Sequence, residues 1–211
     1  KDIARIISAW ARKVVLRKDL HIEEAADARM GWLIILGSLP IVILGYLGQD
    51  AITTNFRSLW LIASVLIIFG VILGIADRYG KTDKSLKDLS IFHGILYGLA
   101  QAMALIPGVS RSGATIAMGR LLGYNREAAL RYSFLLAIPA VFGSGLFQLE
   151  KAISDKSGEQ VFSLTETLVA TIVAFIVGYL VIAWLIKFVT TKSFMPLLFI
   201  ESVLELWCWC F

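Results

Sequence analysis

The sequence predicts an all-α integral membrane protein, a polytopic helix bundle with one re-entrant helical hairpin. Three observations carry that prediction. The 211 residues are 58% hydrophobic and only 17% charged, at a mean hydropathy of +0.77. The charges stand between long apolar runs, whereas a soluble domain of this size spreads them through its helices and strands. Finally, the loop charges fit a chain in which one apolar segment enters and leaves the bilayer on the same side.

Taken in order, residues 1–29 are polar, with Lys1, Arg5, Arg12, Lys13, Arg17, Lys18 and Arg29 outnumbering five acids. They read as a basic segment rather than a signal peptide, and the opening Lys1 reads as a trimmed start or a fragment. Apolar runs follow at about 30–48, 58–76, 91–106, 113–123, 132–149, 165–186 and 194–211. A helix needs roughly 20 residues to cross the hydrocarbon core, with about 17 as a lower limit. The predicted spans of this single transmembrane domain are therefore 30–48, 58–76, 132–149, 165–186 and 194–211, with Pro40 and Pro139 as kinks. The runs 91–106 and 113–123 are too short to span.

Loop charges indicate what the short runs do. With the basic segment before residue 30 in the cytoplasm, the first span leads out to residues 49–57, whose only basic residue is Arg57. The second returns to 77–90, with Arg78, Lys81, Lys84 and Lys87. A single crossing by 91–123 would leave Arg126, Arg131, Lys187 and Lys192 outside and the net-acidic 150–163 inside. A hairpin that re-enters over 91–123 puts each of those loops on the side its charge prefers. At 1.5 Å rise per residue, the arm 91–106 reaches about 24 Å, past the midplane.

The tip of that hairpin reads LIPGVSRSGAT, residues 105–115. Pro107 and Gly108 end one helix near Ile106, and Ser110 or Ser112 caps another that begins near Gly113. The first amides of the new helix, at Gly113, Ala114 and Thr115, are expected to lack intrahelical partners. Free amides at the positive end of a helix dipole make an anion site. Arg111 adds a planar fork suited to phosphate or carboxylate, and Ser110, Ser112 and Thr115 add hydroxyls. Irregular backbone at membrane depth is tolerated where it lines a wet cavity, and broken half-helices facing an anion recur in membrane proteins. The competing reading pairs Arg111 with an acid and leaves the serines as caps. No acid lies between Asp88 and Glu127, which favours the anion site.

Other polar residues carry two readings each. Gln101 either faces the site or bonds a neighbouring helix, and Ser133 is either a packing serine or a ligand. His93 reads as an interfacial or core residue at the hairpin mouth, roughly 20 Å from Ser110 along a helical arm. Glu201 and Glu205 share a helix face, as helix packing or as a paired-carboxylate site. The net charge of +4 fits basic loops beside membrane spans, and no nucleic-acid motif accompanies it. Cys208 and Cys210 are too few for a disulfide framework or a four-ligand zinc site. GVSRS departs from the nucleophile elbow at Ser112, and the Gly-Lys pair of a phosphate-binding P-loop is absent. The residues thus describe a phosphate cradle with no evident general base.

The stretches YGLAQAMALIPGVSRSGATI, RYSFLLAIPA and KSFMP closely resemble the bacterial undecaprenyl-diphosphate phosphatase family, over residues from about 1 to 196. That resemblance implies hydrolysis of the polyprenyl diphosphate to its monophosphate, which recycles the lipid carrier of cell-wall glycans and gives bacitracin resistance. It implies a bacterial inner-membrane bundle of two inverted repeats, each with a re-entrant hairpin, of which this chain holds the second. The site is expected to open outward and to use a divalent cation, Mg2+ or Ca2+. The phosphate motif of the family falls on Ser110, Arg111, Ser112, Gly113 and Thr115, with Ser110 and Arg111 as catalytic candidates and Gln101 and Ser133 as candidate lining residues. Its acidic, serine-rich motif with a histidine belongs to the first repeat, upstream of Lys1. No metal ligand is therefore expected in this chain, and residues 1–211 alone are expected to be inactive. A second departure follows Pro196, where the family's aromatic-Tyr-Arg stretch is replaced by Phe199, Ile200, Glu201 and Ser202. The implied partners are a polyprenyl diphosphate and membrane lipid, without nucleic acid, and a homo-oligomer is left open. The alternative is a transporter or flippase of a lipid phosphate, which needs the same anion site without hydrolysis.

Overall fold

The computed structural model describes residues 2–17, 21–48, 59–154, 164–191 and 193–194. Among them the chain forms helices α1 (Asp2–Val14), α2 (Ile22–Leu47), α3 (Leu59–Tyr79), α4 (Ile91–Ala102), α5 (Arg111–Leu121), α6 (Arg126–Ser154) and α7 (Leu164–Thr191). Short 3₁₀ turns occupy Leu86–Asp88 and Met103–Leu105. Four stretches are long and apolar enough to cross a membrane: Ile22–Leu47, Trp60–Tyr79, Arg126–Gln148 and Thr165–Thr190. They correspond to the first four predicted spans. The fifth, at 194–211, lies outside the described residues except for Phe194, as do Glu201, Glu205, Cys208 and Cys210. Side chains such as Phe175, Ile176, Tyr179 and Leu180 of α7 stand exposed, as lipid-facing residues do where bilayer hydrocarbon is the solvent.

The polar N-terminal segment is more ordered than its composition suggests. Residues 2–14 form an amphipathic helix that buries Ile6 and Ala9, and Trp10 meets Trp32 edge-on at 5.7 Å between ring centres. Helix α2 begins at Ile22 instead of residue 30. Glu23 and Glu24 in its first turn suit the positive end of the helix dipole. Arg5 pairs with Asp27 at 3.0 Å and Arg12 with Glu24 at 2.7 Å, tying α1 across that turn.

Helices α2 and α4 cross with their backbones in contact. A Cβ on Gly98 would strike the Gly37 carbonyl, so only glycine permits this approach. Small residues at crossings are the usual means of association where lipid removes the hydrophobic drive. Around this crossing sits the core, in which Tyr97 meets Tyr132 edge-on at 4.8 Å and Tyr124 at 6.0 Å. The Tyr132 hydroxyl donates to the Leu33 carbonyl at 2.8 Å, joining α6 to α2.

Residues 84–125 fold back on themselves. The Lys84 amide donates to the Gly123 carbonyl at 3.0 Å, and the Asn125 amide returns to Lys84 at 2.9 Å. His93, at the start of α4, has Nδ1 2.7 Å from the hydroxyl of Tyr124, just past the end of α5. Both ends of the hairpin are therefore at one level, and Pro107–Ser110 is the distant turn. Gly123 closes the base with φ +89° and Gly108 turns the tip with φ +96°, a region open to glycine at little cost. Gly108 also lies against the Ile62 backbone, which fixes the tip beside α3.

A buried ionic knot locks the base. Asp77, at the end of α3, accepts from Arg126 Nε at 2.6 Å and from the Phe194 amide at 3.2 Å, and lies 3.3 Å from Arg120 Nε. Arg120 also donates to the carbonyls of Tyr124 at 2.6 Å, Gly80 at 2.9 Å, and Asp77 and Lys81 at 3.1 Å. One side chain thus caps the C-termini of both α3 and α5, where carbonyls lack intrahelical partners.

Candidate phosphate site

The chain leaves α4 at Ala102, passes through Met103–Leu105 and turns at Gly108 into the cap of α5. The cap is Ser110, in extended backbone, whose Oγ accepts from the Gly113 amide at 3.2 Å. The helix therefore begins at Arg111 and not near Gly113. The expected free amides move accordingly: Gly113 is bonded to Ser110 Oγ and Ala114 to the Ser110 carbonyl at 2.8 Å. The amides of Arg111 and Ser112, at the first two helical positions, have no bond to another described residue. These are the donors that the start of α5 leaves for a ligand.

The predicted side chains divide by helix face. Ser110, Ser112 and Gly113 line a cavity of about 190 Å³. Its other walls are apolar: Leu66, Phe69, Gly70 and Leu73 from α3, Leu130 and Phe134 from α6, with Ile116, Leu185 and Phe194. Arg111 is half-buried and lies outside that lining, and no hydrogen bond or ion pair joins its guanidinium to another described residue. Thr115 is buried and donates to the carbonyls of Arg111 at 2.9 Å and Ser112 at 3.1 Å. In this arrangement its hydroxyl firms the first turn of the helix.

Gln101 is fully buried at 0% exposure, and neither its amide nitrogen nor its oxygen has a partner among the described residues. Tyr97, four residues earlier on the same face, has an unbonded hydroxyl. A buried polar group left unbonded costs about 1–3 kcal/mol, so Gln101 marks a place where further polar contact is wanted. Ser133 is the packing serine: its Oγ donates to the Ala129 carbonyl one turn back at 2.7 Å. Sequence reading passed over Asp77 and Arg120. Arg120 falls inside a run counted as apolar, and its acid lies 43 residues away. Among the described residues no three His, Cys, Asp or Glu side chains stand together as a metal site.

Residues 1–206 match the bacitracin resistance protein BacA family. The chain is 57% identical over 197 residues to an undecaprenyl-diphosphatase of Pseudarthrobacter chlorophenolicus, covering 92% of this chain and 69% of that protein. It is 53% identical over 204 residues to the undecaprenyl-diphosphatase of Micrococcus luteus, covering 97% and 73%. A Nocardioides undecaprenyl-diphosphatase is 57% identical over 196 residues, covering 93% and 69%. With a helical membrane-type bundle, a serine-capped helix start and a family match over nearly its whole length, this chain belongs to the bacitracin resistance protein BacA family.

Proposed function

We propose that the chain carries the phosphate-binding hairpin of a membrane undecaprenyl-diphosphatase, which hydrolyses undecaprenyl diphosphate to undecaprenyl phosphate. The observation that carries the reading is the start of α5: two unbonded amides, a serine cap and an unpaired arginine next to an apolar cavity. On this reading 91–123 re-enters the bacterial inner membrane, with the tip facing an outward-opening pocket. Single-transmembrane-domain organisation over 1–211 goes with it.

The diphosphate sits at the tip, where the Arg111 and Ser112 amides and the helix dipole meet its charge. Ser110 Oγ already accepts from Gly113, so its own proton is free to donate to a phosphate oxygen. Ser112 adds a second hydroxyl from the cavity wall. The Arg111 guanidinium swings from the neighbouring helix face onto the transferring phosphoryl group, where charge grows during phosphate release. Thr115 and Gly113 hold the turn in shape, and Gln101 is available as a lining donor. The divalent cation implied by the resemblance finds no ligand set among the described residues.

The test is phosphate release from undecaprenyl diphosphate by the full-length protein. Arg111→Ala is expected to lose at least about 100-fold in turnover, the scale of losing one transition-state donor. Near-normal turnover in that variant overturns the assignment. Binding and translocation of the lipid without phosphate release would instead support a lipid-phosphate carrier.

A further inference from the structure

The cavity beside the tip has two serines in an otherwise apolar lining, and that asymmetry bears on the rest of the substrate. We propose that its apolar end seats the isoprenoid tail next to the diphosphate, and that Gly70 sets the width of that seat. The proposal rests on the phosphatase reading above and deepens it, since it concerns chain recognition and not the chemistry.

Four observations support it. The cavity is continuous from Ser110 and Ser112 to Leu66, Phe69 and Leu73, so it suits a molecule with a charged head and a hydrocarbon tail. From Leu66 to Leu73 is two turns of α3, about 10 Å along the helix. Its volume, about 190 Å³, exceeds the ~150 Å³ that suffices to hold benzene in an apolar protein cavity, enough room for one branched isoprene unit. Last, α3 packs on α5 while α7 packs on α6. Helices α3 and α7 thus face each other across the cavity, and the remainder of a long chain passes between them into lipid.

Gly70 is the wall residue with no packing reason to be glycine. It lies within a regular helix without a left-handed backbone, where glycine is a poorer helix former than alanine. A Cβ built there meets no atom of the described residues within 4 Å. Gly98 and Gly108 differ, since an added Cβ there strikes backbone. The missing side chain at position 70 therefore leaves space in the cavity that packing within the described chain does not require.

Two measurements on the full-length protein test this. In the first, a polyprenyl diphosphate with a benzophenone near the head is photo-crosslinked in detergent, which needs no turnover. Labelling is expected on residues 66–73 and is expected to fall sharply in Gly70→Leu. In the second, phosphate release is compared between undecaprenyl diphosphate and methyl diphosphate, a short substrate that carries no isoprene unit. Gly70→Leu is expected to lower kcat/KM for the long substrate about tenfold more than for the short one, within the range by which apolar pockets discriminate. Gly143→Leu, at an exposed site on α6 with equally open space, is expected to change neither. Crosslinking elsewhere, or equal effects on both substrates, overturns the tail seat. Should Gly70→Leu fail to fold, Leu66→Trp fills the same space and is read the same way. If the parent crosslinks at 66–73 but releases no phosphate from either substrate, the phosphatase reading fails while the seat stands.

Discussion

Helix α5 carries two arginines, and their surroundings are opposite. Arg120, at its C-terminal end, is 1% exposed and holds Asp77 together with the carbonyls of Asp77, Gly80, Lys81 and Tyr124. Arg111, at its N-terminal end, is half-buried, and its guanidinium has no partner among the described residues. A guanidinium whose donors are absorbed by its own protein is part of the scaffold, because burying it unbonded would be prohibitive. One whose donors are unspent is available to something else. The base of the hairpin is thus internally satisfied, and on the proposed function the tip receives the phosphate.

That contrast breaks most visibly at the base. Arg120→Ala is expected to destabilise the protein by about 3 kcal/mol, since it takes one of two cations from the buried Asp77 and leaves several buried carbonyls without a donor. Thermal unfolding in detergent reads this, and the specific activity of the molecules that remain folded should stay close to the parent's. A variant that melts normally would show that the knot does not hold the hairpin. Arg111→Ala should behave in the opposite way, losing turnover while its melting temperature is unchanged. Should both arginines affect both readouts alike, base and tip are one unit and the division fails.

The parts of this picture legible in sequence are those fixed by local chemistry. Run lengths marked four helices long and apolar enough to span, and Pro107–Gly108 marked the turn between α4 and α5. Ser110 was one of two candidate caps, and choosing it moves the free amides from Gly113 and Ala114 to Arg111 and Ser112. The hydroxyl of Thr115 reads as a ligand in sequence, whereas the structure shows it donating within the first turn of its own helix, a direction that sequence does not reveal. The Asp77–Arg120 knot was hidden for another reason: its partners come from separate helices, and pairing at that distance leaves no periodic trace. Helix α1 carries Ile3, Ile6, Ile7 and Trp10 at helical spacing, a pattern that the description of 1–29 as a polar, basic segment does not resolve.

At the tip, Ser110 joins both halves of the comparison, since it caps the helix and faces the cavity. Ser110→Ala is expected to cost about 1 kcal/mol of stability, the usual worth of a cap, and to lower turnover less than Arg111→Ala does. Ser110→Thr keeps an oxygen in place and should recover the stability. Its turnover then separates the two roles: recovery of stability alone would mean that the cavity also requires the smaller serine.

The smallest effect belongs to the outer edge of the base. Asp88 accepts from the Ser85 amide at 2.8 Å and the Ser85 hydroxyl at 2.9 Å. These bonds, the backbone one first, hold its carboxyl below the ordinary value of 3.8, with Lys84 adding in the same sense against a small opposing effect of burial. A carboxyl whose pKa is lower folded than unfolded stabilises the fold above the unfolded pKa and loses that contribution as pH falls through the folded one. The group is fully exposed, so solvent screens most of the effect. Asp88→Asn should therefore melt slightly below the parent at neutral pH, and the gap should close as pH falls through 3.8 and below. Unlike Arg120, Asp88 can lose its charge to water at little cost, and a gap that persists unchanged into acid would place its contribution in shape and not in charge.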